Sequence, residues 1–128
     1  MSDKLFSHFL RFSGWTTVLG GAALVLPELW LKLGHVSVTE PAGLFYVRHW
    51  GLMACCVGAL IVCAAGRPAL RRPVLLAALV EKLGLVLLVA LGWNDLSGMA
   101  AAAAFDAMCV VVYAVWWWRG SSASPTAR

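Results

Sequence analysis

Four long apolar runs separated by short polar breaks carry most of this chain. They cover about residues 12–33, 44–66, 74–93 and 99–118. Each is near the ~20 residues that a helix needs to cross a ~30 Å hydrocarbon core. Backbone polar groups inside lipid must be satisfied within the segment, so these runs are expected to be helices. Residues 34–43 hold Gly and Pro and mark a loop; residues 67–73 form a tight basic turn, and 94–98 a third turn. Pro27 predicts a bend near the far end of the first run. Residues 1–11 read as a polar lead lying along the membrane surface. A basic lead before an apolar run resembles a signal peptide. This run is longer than a signal core and ends without a small-x-small site, so a retained helix is expected. The pattern therefore predicts an all-α, polytopic membrane protein: a four-helix bundle over residues 1–119, then a disordered tail over 120–128.

Composition supports this. The 128 residues are 62% hydrophobic and only 12% charged. That is about half the charge fraction of an ordinary soluble domain. The lipid bilayer must then cover most of the surface. The net charge of +4 does not indicate nucleic acid, because the basic residues sit at the ends of apolar runs rather than in one patch. Lys4, Arg11, Arg67, Arg71, Arg72, Arg119 and Arg128, seven of the ten basic residues, fall on one side of a four-span topology. The positive-inside rule makes that side cytoplasmic and places both termini there, in a cell inner or plasma membrane. Trp15 and Trp116–Trp118 would mark the cytoplasmic interface, with Trp30, Trp50 and Trp93 towards the other.

Charges within the runs carry the candidate chemistry. An ionisable group at mid-membrane costs roughly 2.5–3.5 kcal/mol on insertion scales and is seldom kept without a partner or a task. Glu81 and Lys82 fall near the middle of the third run. Glu28, Arg48, His49 and Asp106 sit ~7–12 Å below the outer surface at 1.5 Å rise per residue. Spacings of three and four put Arg48 in line with Gly51, Cys55 and Gly58. Glu81 lines up with Gly84 and Leu88, extended by Ala77 or Ala78. Asp106 shares a face with Ala102, Ala103, Cys109 and Tyr113. Stripes of small residues let membrane helices approach closely, so these faces are expected to meet. The result is an outward-opening pocket for a small apolar or lipid-like molecule. Glu81 and Asp106 are the candidate catalytic residues, and Arg48, His49, Glu28, Tyr113 and Trp50 the binding residues. For Lys82, about 100° further round the helix, snorkelling, local pairing and a place facing the pocket all stay open.

A carboxyl group in apolar surroundings resists ionisation, while a nearby Arg keeps one ionised. Two acids separated in this way supply an acid and a base. That suits isomerisation, cyclisation or epoxide opening, and equally proton-coupled transport. A non-catalytic subunit of a larger membrane complex, redox or photosynthetic, is the competing reading, and a homo-oligomer fits either. No cofactor is implied. No metal is expected either: Cys55, Cys56, Cys63 and Cys109 form no CxxC or zinc-type spacing and read as packing residues.

The segment Arg48-His49-Trp50-Gly51-Leu52-Met53, with Gly58-Ala59-Leu60 and the Arg67-Pro68 turn after it, resembles the Arg-x-x-Gly then Gly-x-Leu pattern of small bacterial four-helix membrane proteins of the DoxX-like group. The resemblance covers about half the chain. It implies the four-helix fold and, for some members, a place in quinone-linked oxidoreductases; it does not specify an activity.

Overall fold

The computed structural model describes residues 2–121, and among them every regular element is helical. Helix α1 spans Asp3–Gly20 and runs on as a 3-10 turn, Gly21–Leu24. Helices α2 (Pro27–Leu33), α3 (Pro41–Gly66) and α4 (Pro68–Leu91) follow. A one-turn α5 (Trp93–Leu96) and a 3-10 turn, Ser97–Met99, lead into α6, Ala100–Ser121. Helices α3, α4 and the segment Trp93–Arg119 are each long and apolar enough to cross a membrane. The pair Asp3–Leu24 and Pro27–Leu33 meets the same test only jointly, as one span broken by a 117° bend. The chain is thus an all-helical membrane protein with three spans, or four if the bent pair is one.

Local sequence explains where these helices start. Ser2 caps α1, accepting a hydrogen bond from the Leu5 amide, and Asp3 adds an acid to the first turn. Proline opens α2, α3 and α4, where its missing N–H costs nothing. Three boundaries differ from the sequence expectation. Residues 3–11 are the first turns of α1 rather than a surface stub, which leaves Trp15 exposed along the helix instead of at its end. The basic turn shrinks to Arg67, because Pro68 starts α4 early and takes Arg71, Arg72 and Pro73 into the helix. The bend at Pro27 is much sharper than expected. Leu26 is held out of the helical region, as residues before proline are, and the chain turns there to make α2 a separate short helix. The tail expected from residue 120 lies outside the described residues from 122 onward.

Helices α1, α3, α4 and α6 pack in a ring, each against the next in the chain, with α6 closing against α1 through side chains. Glycines decide how α1 meets α3. A Cβ on Gly58 would come within 2.7 Å of the Gly14 carbonyl oxygen and the Val18 amide. Both neighbours are backbone and cannot give way, so only glycine allows the two helices this close. Gly84 on α4 is different, since an added Cβ there meets nothing within 4 Å.

The ring has two unlike ends. At one, Phe6, Leu10, Ile61, Ala65, Leu75, Ala78, Cys109 and Tyr113 form a dry core drawn from all four helices. Phe6 stacks on Trp116 at 4.7 Å and Phe9 meets Tyr113 edge-on, so aromatic rings fill the gap between α1 and α6. Arg71, 3% exposed, ties this end together. Its guanidinium donates to Asp3 and Ser7 of α1 and to the Ala64 and Ala65 carbonyls at the end of α3. At the other end, apart from Phe105, which meets Phe12 edge-on, the side chains of α1 and α6 lining the gap are mostly small, and it stays open beneath α2.

Candidate functional site

The open gap is a cavity of about 370 Å³. Its size follows from what the sequence places on the two facing helices. Thr16, Thr17 and Gly20 line it from α1, and Ala101 and Ala102 from the five-alanine start of α6. None of these fills the space that rings fill at the Arg71 end. The two threonine hydroxyls donate to carbonyls of their own helix, those of Phe12 and Ser13. Trp30 and Leu33 of α2 and Met99 cover the top, with Trp50 beside Trp30 at a ring separation of 5.9 Å. The cover is held by contact between backbones: a Cβ on Gly98 would overlap the Gly34 carbonyl.

Charge sits at the floor. The Lys82 Nζ donates to Asp106 Oδ1 at 2.6 Å and lies 3.8 Å from Glu81 Oε2. Lys82 is 1% and Asp106 5% exposed, so this is a buried ion pair joining α4 to α6. The Phe105 ring adds a cation–π contact, 5.5 Å from Nζ. Below the pair, Ser13 and Tyr113 share a hydrogen bond of 2.7 Å and begin the packed half. Glu81 differs from Asp106. Its Oε2 is buried and accepts no hydrogen bond among the described residues.

The residues singled out in the sequence divide into two groups. Glu81, Asp106 and Trp50 line the cavity. Tyr113 is buried but belongs to the packed half. Glu28 is exposed on α2 and does not line the cavity. Arg48 and His49 are exposed on the outer side of α3, where His49 stacks with Phe45. Gly51 and Gly58 do face α1 as expected, but their stripe turns outward before it reaches Arg48. The cation of the cluster is therefore Lys82, whose side the sequence had left open. A usable signal was the opposite face of α4. Leu76, Val80, Leu83, Leu87 and Leu91 form a continuous bulky stripe at helical spacing, and all five are exposed. Arg71, Leu75, Ala78, Lys82 and Val89 run along the other side and are buried. The lipid-facing stripe thus locates the interior face better than Gly84 and Leu88 do.

Comparison with protein-family models, with characterised proteins and with solved structures returned no match to this chain. The site must be read from its own geometry.

Removing one member of a buried pair strands the other and costs about 3–5 kcal/mol. The third charge makes the two single variants unequal. Lys82→Met leaves Glu81 and Asp106 facing each other, whereas Asp106→Asn leaves Glu81 to balance Lys82. Unfolding in mixed micelles should therefore show Lys82→Met as the more destabilised, with the double variant Lys82→Met/Asp106→Leu recovering most of the loss.

Proposed function

We propose that this protein binds a small, largely apolar molecule within the membrane, with the polar end of the ligand on the Glu81–Lys82–Asp106 floor. The observation that carries this is the pairing of an apolar cavity with a buried carboxylate oxygen that the protein leaves without a hydrogen bond. A fold under no demand but stability would close such a gap with larger side chains, as this one does at its other end. Acid–base catalysis is the preferred use of the site. Glu81 is the group that exchanges a proton with the ligand, because Asp106 is committed to Lys82. The Lys82–Asp106 pair holds the floor in place and sets the field around Glu81. Isomerisation, cyclisation and epoxide opening of a hydrophobic substrate are the reactions that fit one such group in a site shielded from water. The resemblance to DoxX-like proteins adds support for the bundle rather than for the reaction.

Solvent extraction of the protein, purified in mild detergent, followed by mass spectrometry should yield a co-purifying apolar compound at near-stoichiometric amount. The variant Ala102→Phe, which fills the cavity from α6, should fold and lose it. An extract holding only bulk lipid and detergent, the same for both proteins, counts against the binding reading.

The distribution of basic residues supports an orientation with both termini cytoplasmic, in a cell inner or plasma membrane, so that α2 covers the cavity on the outer side. With Cys56 and Cys63 replaced by Ser, a membrane-impermeant thiol reagent applied to whole cells should label Ser37→Cys and spare Ala69→Cys. The reverse pattern inverts the topology.

A further inference from the structure

We infer that the ligand is an apolar cation, an amine or quaternary ammonium group carried on hydrocarbon; this rests on the binding reading above and names its substrate class. Charge balance is the first ground. With both acids ionised, the floor carries two negative charges, on Glu81 and Asp106, against one positive charge on Lys82. Among the described residues no other basic side chain lines the cavity: Arg48 is exposed on α3, and Arg71 is bound at the far end by Asp3 and Ser7. A second carboxylate in low dielectric stays ionised only beside a counter-charge and otherwise takes up a proton, and the cavity is the space in which a cation would keep it ionised.

The second ground is how Lys82 is used. Its ammonium donates to Asp106 at 2.6 Å, while Glu81 Oε2 stands 3.8 Å away, beyond hydrogen-bond reach, and accepts no hydrogen bond among the described residues. Lys82 thus hydrogen-bonds Asp106 and reaches Glu81 only by a longer ion pair, which leaves Glu81 Oε2 the less satisfied of the two carboxylates. An anionic ligand would have to compete with Asp106 for Lys82 and would be repelled by Glu81.

The walls give the third ground. Trp30 and Trp50 line the cavity beneath and beside α2, and indole is the aromatic side chain that best attracts a cation. Apart from the charged floor and from Thr16 and Thr17, whose hydroxyls are held by their own helix, the rest of the lining is alanine, glycine, leucine, Met99 and Phe105, which accommodate hydrocarbon. A neutral apolar ligand would gain from those walls but leave the floor unbalanced.

The probe pair is benzyltrimethylammonium and its neutral carbon isostere, neopentylbenzene, titrated calorimetrically against the full chain in mild detergent. The cation should bind wild type and Glu81→Asp, weaken by about tenfold or more in Glu81→Gln, and exceed the isostere only where position 81 keeps its carboxylate. It should also fail to bind Ala102→Phe, which keeps Glu81 but fills the space, so the inference remains testable if Glu81→Gln does not fold. Equal binding of the cation by wild type and Glu81→Gln overturns the cation inference, as does tighter binding of the isostere in wild type. In either case the binding reading stands on its own extraction experiment. Absence of binding by both compounds also overturns the inference, and a compound found in the extract would then show that the cavity takes another class.

Discussion

The ion pair between Lys82 and Asp106 is the constraint around which the bundle is arranged. Two charges held in the interior of a membrane protein are tolerated only if each satisfies the other at close range. That requirement fixes the rotation of α4 about its axis and the height of α6 beside it. Asp106 lies midway between Trp93 and Arg119, and Lys82 lies just past the middle of α4, so the contact sits deep in the apolar zone. Once these two helices are set, the bulky stripe from Leu76 to Leu91 faces outward to lipid. Glu81, next in sequence to Lys82, is carried to the edge of the cavity. It reaches the cluster without being absorbed into it.

The pair also separates two different kinds of interior. On the Arg71 side, rings and aliphatic side chains fill the space between α1 and α6, and Arg71 spends its donors on α1 and α3 at once. On the other side the same gap is faced by threonine, glycine and alanine and remains a cavity. The sharp turn before Pro27 gives that cavity its cover, since a straight continuation of α1 would carry Trp30 and Leu33 away from it. A rigid, packed half thus supports a hollow half, and the charges lie where the two meet. The floor is held by packing below it, while the cover is a short helix set off by the break before Pro27.

Much of the architecture could be read from the chain, because lipid imposes a simple rule: runs of about 20 apolar residues must become helices. The spans from 44–66, 74–93 and 99–118 correspond closely to α3, α4 and α6, and the bend was marked by Pro27. Helix starts were harder to read. Ser2-Asp3 and Pro68 are strong local start signals that hydropathy ignores, so α1 and α4 begin earlier than their apolar runs. The site was legible in part. Depth and charge singled out Glu81 and Asp106, which line one cavity, but the partner was taken to be Arg48, with Lys82 left open. The small-residue stripe of Arg48 is real over Gly51 and Gly58, yet α1 ends and turns into α2 before the stripe reaches Arg48. No neighbour remains there to bury it. On α4, Gly84 suggested a packing face where no helix comes close. Which helix lies opposite a given stripe is a tertiary fact, and one sequence does not contain it.

The most direct test of this account is the contact at its centre, observed in a lipid bilayer. Solid-state NMR with ¹⁵N-labelled lysine and ¹³C-labelled aspartate can detect dipolar coupling between the Lys82 ammonium nitrogen and the Asp106 carboxyl carbon. The account predicts strong coupling for that pair, lost in Asp106→Asn mixed with no compensating coupling to Asp95. A Lys82 ammonium that couples to no aspartate carboxyl, or that exchanges freely with water, would contradict it.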